Sequence, residues 1–194
     1  APSDVRDCFV LTMHAFNLAE QFRCPVFVAS NKEVGMTKEG LDIDAIQRPE
    51  VRTRTAPPSG QPFLPFRVDP GQSVPYFLPI GHEILVRQTS STHGPDGYIT
   101  TDPEQIARNQ ERLGSKLLSA VDQFSFHEAY LEEGADTLII TYGVTARAAK
   151  DIYLSHKKVG SPVSLLILKT LWPVPEALIK EKAEKVRRVV VLEM

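Results

Sequence analysis

The order of segments in residues 136–193 constrains the fold more than any other feature of the sequence. Three apolar segments typical of strands alternate there with two amphipathic segments typical of helices. In chain order these five segments are 136–142, 145–158, 163–168, 175–185 and 187–193. A β-α-β-α-β order joins parallel strands by right-handed helical crossovers. We therefore predict an α/β fold with a parallel sheet in this part of the chain.

Residues 1–35 predict one helix and one strand. Ser3 or Asp4 can cap a helix that runs to about Phe22, because apolar side chains recur there at helical spacing. The continuous apolar run 26–29 is typical of a strand buried on both faces of a parallel sheet. One strand does not make a domain, so we expect this region to be part of an α/β domain whose other strands come from elsewhere.

Residues 36–101 are rich in proline, and ten of the fifteen prolines lie between Pro49 and Pro103. The piece 53–60 is the most similar to a linker. Aromatic residues interrupt the segment, and aromatic side chains at this density dock onto another surface. We predict an ordered arm that crosses the surface of another subunit. The rings expected to be buried there are Phe63, Phe66, Tyr76 and Phe77.

A further helix is predicted after the arm. Asp102 is placed as its N-cap, Pro103 in its first turn and Gln105 for a capping box. The predicted organisation is thus a partial domain over 1–35, an arm with a loop and a helix over 36–134, and a parallel α/β domain over 135–194.

Composition excludes several classes of protein. A net charge of -2 and a pI near 6.2 argue against a nucleic-acid or anionic-membrane surface. No apolar stretch approaches the roughly 18 residues of a membrane span. Cys8 and Cys24 are too few for a disulfide framework, a structural zinc site or an iron–sulfur cluster. We expect a reducing, cytoplasmic location and no metal site in this chain.

Two places invite a chemical interpretation from spacing alone. Gly143 precedes a predicted helix, where phosphate can bind, but Val144 and Ala146 stand where the dinucleotide fingerprint needs glycine. We interpret this place as a tight strand-to-helix turn. Four histidines show no clustering in sequence, and ordinary packing or surface roles are the simplest interpretation. They are His14, His82, His127 and His156.

The fifth histidine lies in a loop with a different composition. Residues 87–97 are dense in hydroxyl groups and turn formers, and such loops present hydrogen-bond donors to anionic ligands. The candidate residues of this substrate loop are Arg87, Thr89, Ser91 and His93. Spacing alone leaves a second interpretation open, in which the loop is a plain surface turn.

Several segments resemble a known family when they are taken in order. Segments 4–9, 14–20 and 24–28 resemble the pyrimidine-side thiamine-binding domain of the 2-oxoacid:ferredoxin oxidoreductase α subunit. Residues 89–103 resemble that family's Thr-Gly-x-Glu-His-x-x-x-Gly segment with its following Thr-x-Asp-Pro. Segments 112–117 and 136–175 also resemble this subunit. The chain departs from the pattern at Ser90, Thr92 and Gly94, which leaves the substrate preference open.

The resemblance implies oxidative decarboxylation of a 2-oxoacid, with 2-oxoglutarate favoured, to its acyl-CoA. It implies thiamine diphosphate, Mg and a [4Fe-4S] cluster in the assembled complex, held mainly by a β subunit, with coenzyme A as co-substrate and ferredoxin as electron acceptor. The family's thiamine-activating glutamate has no counterpart in these residues. We therefore expect no catalytic residue in this chain, no activity from it alone, and a need for the N-terminal part of the α subunit.

Two other classes remain open from the sequence. One is the β-like chain of a lipoamide-linked 2-oxoacid dehydrogenase, which also joins a pyrimidine domain to a parallel C-terminal domain. The loop containing His93 and the long proline-rich arm argue against it. The other is a non-catalytic assembly module that only clamps a catalytic partner.

Overall fold

A computed structural model describes residues 1–81 and 83–194, so the prediction for His82 lies outside the described residues. The helices are α1 (Val5–Phe22), α2 (Lys32–Met36), α3 (Pro103–Leu118), α4 (Thr145–Lys158) and α5 (Glu176–Ala183), with a 3-10 turn at Val121–Phe124. The strands are β1 (His127–Tyr130), β2 (Thr137–Tyr142), β3 (Ser164–Leu168) and β4 (Arg188–Leu192). Among the described residues, no helix is both long enough and apolar enough to cross a bilayer.

The chain forms two compact units. The sheet unit comprises residues 1–15, 27–49 and 120–194, and the arm unit comprises residues 16–26 and 50–119. The sheet unit contains all four strands, whereas the arm unit contains α3 and most of the proline-rich segment.

The sheet has the strand order β1-β3-β2-β4. Strand β2 pairs in parallel with β3 on one side, where Ile140 faces Leu166, and with β4 on the other, where Ile140 faces Val191. The predicted parallel β-α-β-α-β unit and the α/β class are confirmed. Strand β1 was not predicted: it pairs antiparallel with β3, and its four residues, which include His127, carry no apolar run.

Alternating side chains of β2 and β3 build a core on both faces of the sheet. Ile139 and Leu165 pack with Ala146, Ala149 and Tyr153 of α4. The opposite face buries Leu138, Ile140, Leu166 and Leu168, with Leu178 and Ile179 of α5 packed against them. All five residues of β3 are buried, as expected for a strand covered by helices on both faces.

The predicted strand at 26–29 finds no partner among the described residues, and its pairing with strands from elsewhere stays a prediction. These residues are exposed and unpaired with any described strand, and Phe27 is 88% exposed. Apolar composition favours burial, but a strand also needs a neighbouring backbone whose N–H and C=O groups it can pair with. The four described strands pair only with one another.

Helix α1 forms as predicted, and the residue that follows it has a left-handed backbone conformation. Arg23 has a φ of 46°, a conformation that is uncommon outside glycine and typical of the position after a helix C-terminus. This conformation accompanies contacts to the arm: the Arg23 guanidinium donates to the carbonyl oxygens of Pro65, Pro75 and Tyr76 at 3.2, 3.2 and 2.8 Å.

Two further cations bind carbonyl groups in the arm unit. Arg112 of α3 donates to Ser73 O at 3.1 Å, and the buried Lys116 ammonium donates to Phe22 O at 2.7 Å. Proline has no backbone N–H, so a proline-rich segment carries more acceptors than donors. Arg23 and Arg112 supply donors to this segment, and Lys116 supplies one to the C-terminal end of α1.

The four aromatic rings of the arm are half-buried within the described chain itself. Phe66 packs on the His93 ring, and Phe77 lies beneath the Arg54 guanidinium, with 4.2 Å from Arg54 Cζ to the ring centroid. Imidazole and guanidinium groups from the same unit thus cover Phe66 and Phe77, which the apolar pattern alone could not indicate. The passage of the arm across another subunit stays a prediction.

Helix α3 is capped as predicted in one respect and differently in another. Asp102 Oδ1 accepts from Glu104 N at 3.0 Å. The predicted capping box is wrong, because the Gln105 side-chain amide donates instead to Asn109 Oδ1 at 3.2 Å. The Asp102 N–H donates to Thr100 Oγ1 at 3.1 Å, which replaces the contact expected from Gln105.

A buried lysine joins three elements of the sheet unit. The Lys169 ammonium, just after β3, contacts Asp7 of α1, Ser3 Oγ at 2.6 Å and Glu128 Oε1 of β1 at 2.9 Å. Burial would raise the pKa of Glu128, but hydrogen bonds from Lys169, Lys150 and Tyr130 outweigh it and lower the pKa to about 2. The ionised carboxylate therefore stabilises the folded state.

The pH dependence of stability tests this network. A carboxyl group with a lowered folded-state pKa contributes stability above its unfolded pKa, and this contribution is lost as the pH falls towards about 2. Because the Glu128 side chain is 34% exposed, solvent screens its charged contacts. We therefore expect its ionisation to contribute about 1–2 kcal/mol to the free energy of unfolding, less than the full pKa shift would give. The Glu128→Gln variant should be less stable than wild type by this amount at pH 6 in urea unfolding, and the difference should shrink towards pH 2.

The matched control is Glu133→Gln, which removes an exposed carboxylate from the turn that follows β1. It should leave the free energy of unfolding near the wild-type value at both pH values. A Glu128→Gln deficit that is the same at pH 6 and pH 2 would contradict the assigned role.

Candidate functional site

The candidate substrate loop is a short hairpin rather than an open loop. Thr100 N donates to Thr92 O at 3.0 Å, and Gly94 N donates to Tyr98 O at 2.9 Å. His93 and Ile99 form an antiparallel bridge. The Thr92 hydroxyl closes the base by donating to Thr100 O at 2.9 Å. Turn formers at 94–97 thus return the chain as the sequence predicted, and they do so within the arm unit.

His93 is fixed by contacts on three sides. Its ring lies 3.7 Å from the Phe66 ring, centroid to centroid, at an interplanar angle of 31°. Nδ1 lies 3.0 Å from Gly94 O, and the His93 carbonyl accepts from Asn109 Nδ2 of α3 at 2.8 Å. Because a carbonyl oxygen only accepts, Nδ1 carries the proton of this contact, and Nε2 is the ring nitrogen left for a further partner.

Arg87 lies against the other strand of the same hairpin. Its Cζ is 3.9 Å from the Tyr98 ring centroid, a cation–π contact. Its aliphatic stem packs on Gly97, where a Cβ would lie 3.1 Å from Arg87 Cγ. Gly97 has a φ of 83°, so this close approach and the backbone turn both require glycine.

The two hydroxyl candidates differ in their surroundings. Thr89 is half-buried, and its Oγ1 accepts from Ser91 N at 3.2 Å, which makes it part of the turn. Ser91 is exposed. The structure therefore places His93 on the hairpin and Arg87 against it, each beside an aromatic ring, while Thr89 and Ser91 lie in the turn that precedes it.

Sequence reasoning missed two of the residues that hold the hairpin. Asn109 carried no signal, because an amide in the middle of a helix is an ordinary surface residue. Tyr98 follows directly after the loop and was not singled out. Phe66 was singled out as an interface ring, but its stacking partner His93 lies 27 positions away, and no local pattern joins them.

The turn at Gly143 is filled by the protein itself. Asn31 Oδ1 accepts from Val144 N at 3.1 Å, and a Cβ on Gly143 would lie 2.4 Å from that oxygen. The Thr145 hydroxyl donates to Tyr142 O at 2.7 Å. Asn31 thus occupies the place that a phosphate oxygen would take, which agrees with the interpretation as a tight turn.

Neither a metal centre nor an activated thiol is built from the described residues. They contain no group of three side chains able to hold a metal ion. Cys8 and Cys24 are both free thiols. Burial, followed by the charges of Asp7 and Asp4, raises the pKa of the Cys8 thiol, which disfavours its reactive thiolate form.

Comparison with known proteins shows which family the chain resembles. Residues 135–194 match the family model described as "Pyruvate:ferredoxin oxidoreductase core domain II". This segment contains β2, α4, β3, α5 and β4 of the sheet unit. This part of the chain is therefore similar to the 2-oxoacid:ferredoxin oxidoreductases, the class to which the sequence resemblance pointed.

Curated relatives match the chain over its whole length. It is 33% identical over 196 residues to the 2-oxoglutarate synthase subunit KorA of Methanothermobacter thermautotrophicus, and 30% identical over 195 residues to that of Methanocaldococcus jannaschii. The chain thus resembles the 2-oxoglutarate-type members of the family, as predicted. It spans about half the length of these relatives, 51% in each case.

Two further comparisons extend this result. The ketoisovalerate oxidoreductase subunit VorB of Methanothermobacter marburgensis is 26% identical over 184 residues, covering 95% of the chain and 45% of that relative. The solved 2-oxoglutarate:ferredoxin oxidoreductase from Magnetococcus marinus, with 2-oxoglutarate, coenzyme A and succinyl-CoA bound, superposes with a TM-score of 0.82 at 24% identity. The superposition covers 98% of this chain and 33% of the matched chain, so the shared fold extends beyond residues 135–194.

A glycine substitution tests the packing of Arg87. We expect Gly97→Ala to destabilise the hairpin by about 1–3 kcal/mol, because the backbone has a positive φ and the new methyl group meets the Arg87 stem. Amide hydrogen exchange should show faster exchange at Gly94 and Thr100, whose N–H groups close the hairpin.

The matched control is Gly60→Ala in the same unit. Gly60 has a φ of 80°, close to that of Gly97, but a Cβ there meets nothing within 4 Å. This variant carries the backbone penalty without the clash and should leave hairpin exchange unchanged. Equal exchange at Gly94 and Thr100 in the two variants would show that the Arg87 contact does not hold the hairpin.

Proposed function

We propose that this chain is part of the α subunit of a thiamine-diphosphate-dependent 2-oxoacid:ferredoxin oxidoreductase. The assembled enzyme would decarboxylate a 2-oxoacid oxidatively to its acyl-CoA and pass the electrons to ferredoxin. The observation that carries this proposal is the match of the whole chain to 2-oxoglutarate synthase subunits at 29–34% identity. We therefore propose 2-oxoglutarate as the substrate.

A branched-chain 2-oxoacid is the second candidate substrate. The chain also matches ketoisovalerate oxidoreductase subunits over 95% and 100% of its length, at 26% and 25% identity. The two substrates differ in a way that a binding site can read, because 2-oxoglutarate carries a second carboxylate where ketoisovalerate carries methyl groups. A site that selects 2-oxoglutarate therefore needs a cation or several donors aimed at that carboxylate.

The hairpin supplies groups of this kind. The Arg87 guanidinium presents one face to the Tyr98 ring, so its N–H groups at the edge remain available to a carboxylate. His93 is half-buried and held by the Phe66 ring and Gly94 O. We propose that Arg87 or His93 faces a substrate carboxylate, and that Thr89 and Ser91 shape the turn between them.

The cofactors are proposed for the assembled complex and not for this chain alone. A [4Fe-4S] cluster needs four thiolate ligands and the chain has two cysteines, so its residues do not fit that group. We propose that a β subunit holds the cluster, Mg and most of thiamine diphosphate, which supplies the carbanion chemistry when bound. Coenzyme A would be the acyl acceptor, and the rest of the α subunit would complete the site.

The remaining expectations concern location and rival classes. A cytoplasmic location stays a prediction, supported by the two unpaired thiols. The whole-length match to 2-oxoglutarate synthase subunits favours the ferredoxin-linked class over a lipoamide-linked dehydrogenase. A chain that only clamps a catalytic partner would leave the kinetics insensitive to Arg87 and His93, so one experiment addresses both the site and this alternative.

Steady-state kinetics of the full complex tests the proposal. A charge-assisted hydrogen bond to a carboxylate contributes roughly 1.5–3 kcal/mol, so Arg87→Ala and His93→Ala should each lower kcat/KM for 2-oxoglutarate by about 10- to 150-fold if that residue makes the contact. Ketoisovalerate and pyruvate, assayed in parallel, lack the second carboxylate. A loss confined to 2-oxoglutarate would assign the residue to that group, whereas a loss shared by all three would assign it to the carboxylate next to the keto carbon.

The matched control is Arg108→Ala on α3, an exposed arginine paired only at the surface with Glu104. It should leave kcat/KM unchanged for every substrate. If Arg87→Ala and His93→Ala both keep wild-type values for all three substrates, the hairpin is a structural turn. If the complex turns over ketoisovalerate but not 2-oxoglutarate, the second candidate substrate replaces the first.

A further inference from the structure

The ring of His93 is held by contacts that differ from those of its backbone. Its Nδ1 lies 3.0 Å from Gly94 O, an oxygen of the next residue in the chain. Asn109 of α3 donates to the His93 carbonyl at 2.8 Å, which fixes the backbone but not the imidazole. The Phe66 ring, by contrast, contacts the imidazole itself and comes from a distant part of the arm unit.

Phe66 is anchored independently of this ring contact. Its backbone N–H donates to Pro95 O, in the turn of the hairpin, at 3.0 Å. The preceding residue, Pro65, is buried, and its carbonyl oxygen accepts from the Arg23 guanidinium at 3.2 Å. These hydrogen bonds hold the backbone around Phe66 to the hairpin on one side and to the residue after α1 on the other. Because neither of them uses the Phe66 side chain, both remain available when that side chain is replaced.

The stacked geometry restricts the plane of the imidazole. The ring centroids of Phe66 and His93 are 3.7 Å apart and the planes are inclined by 31°, so the phenyl ring covers one face of the imidazole. A ring held in one plane retains two orientations, which a half turn about the Cβ–Cγ bond interconverts. Only one of them places Nδ1 beside Gly94 O. The stack thus selects the plane of the ring, and the hydrogen bond selects the orientation within that plane.

The second ring nitrogen of His93 is available to a ligand. Nε2 has no hydrogen-bond partner among the described residues. His93 is half-buried, and in the described part of the chain no buried side-chain nitrogen or oxygen lacks a partner, so Nε2 is reachable from solvent. An imidazolium donates through both nitrogens, so it can bind a carboxylate at Nε2 and Gly94 O at Nδ1 at the same time.

We propose that Phe66 is a positioning residue of the proposed substrate site. Its ring holds the His93 imidazole in the plane that gives Nδ1 to Gly94 O and leaves Nε2 for the substrate carboxylate, without touching the substrate itself. The inference rests on the proposed function for the identity of the ligand, whereas the orientation of the ring by Phe66 is a property of this chain alone. Two separate measurements test these two parts.

Long-range proton–nitrogen correlation spectra of the full chain report which nitrogen of an imidazole carries the proton. In mildly alkaline solution, where imidazoles are neutral, wild-type His93 should be protonated at Nδ1, because Gly94 O accepts there. Signals that disappear in His93→Ala identify this ring. In Phe66→Leu, which keeps an apolar side chain but no ring, water competes for both nitrogens. The ratio of the Nδ1-protonated to the Nε2-protonated form should therefore fall by about 2- to 10-fold.

Steady-state kinetics of the full complex tests the link to the substrate. Phe66→Leu should lower kcat/KM by about 2- to 10-fold for the substrates that His93→Ala affects, because the imidazole then has to be ordered when the substrate binds. In the His93→Ala background the same substitution should have no further effect, since no imidazole is left to position. Phe66→Tyr, which keeps the ring face, should retain the wild-type protonation of His93 and the wild-type kcat/KM.

The matched control is Phe77→Leu, which removes a half-buried ring of the same unit that lies beneath a guanidinium rather than against His93. It should leave the protonation of His93 and kcat/KM at wild-type values. Amide exchange at Gly94 and Thr100 should stay at the wild-type rate in Phe66→Leu, because the hydrogen bonds that close the hairpin do not use the Phe66 side chain.

Three outcomes would overturn the positioning role. Unchanged protonation of His93 in Phe66→Leu would show that the phenyl ring does not orient the imidazole. Faster amide exchange at Gly94 and Thr100 in this variant would show that Phe66 supports the fold of the hairpin instead. A loss of kcat/KM that persists in the His93→Ala background would show that Phe66 acts through another group.

The proposed function fails by a different pattern. A loss of kcat/KM in His93→Ala, with wild-type kinetics in Phe66→Leu, would remove the positioning role and leave the proposed function in place. Wild-type kinetics in His93→Ala, with changed protonation in Phe66→Leu, would refute the contact of His93 with the substrate. That second pattern would still confirm the orientation of the imidazole by Phe66.

Discussion

The supply of hydrogen-bond donors to a proline-rich segment is the constraint on which the arm unit depends. Carbonyl groups that lose water without finding an N–H partner cost free energy, and proline removes one possible donor at each of its positions. Arg23 and Arg112 meet this need by donating to the carbonyl oxygens of Pro65, Ser73, Pro75 and Tyr76, while Lys116 donates to Phe22 O at the end of α1. No described carboxylate forms an ion pair with these three cations, so their contacts are with neutral acceptors.

The predictable part of the fold is the part that local pattern controls. The strands and helices between Thr137 and Leu192 follow from apolar runs, a turn glycine and helical spacing, and all of them form. Local pattern decides less where a segment depends on pairing with another strand. Residues 26–29 have the composition of a buried strand but no described neighbour, whereas β1 lacks that composition and forms because β3 offers an open edge. Composition indicates which conformation a segment favours, whereas the strands beside it determine whether it pairs into a sheet.

The candidate site likewise combines a local turn, which the sequence predicts, with contacts between distant residues, which it does not. Turn formers at 94–97 predicted a turn, because their backbone preferences are local, but they did not predict the hairpin contacts on either side of it. The contacts that hold its functional groups join residues far apart in sequence, such as His93 with Phe66 and with Asn109. Sequence reasoning therefore named the candidate groups of the loop but missed the residue contacts that hold them.

The ring contacts of Arg87 and His93 restrict these two side chains in the proposed site. A free arginine side chain loses roughly 0.5–1.5 kcal/mol of conformational freedom when a ligand immobilises it. Contact with Tyr98 on one side and Gly97 below restricts Arg87 before any ligand arrives, and the Phe66 ring does the same for His93. Since the ring occupies the face of the guanidinium, its in-plane N–H donors are left for a planar acceptor such as a carboxylate. In the proposed site, Tyr98 and Phe66 would thus act on affinity by orienting Arg87 and His93, without touching the ligand.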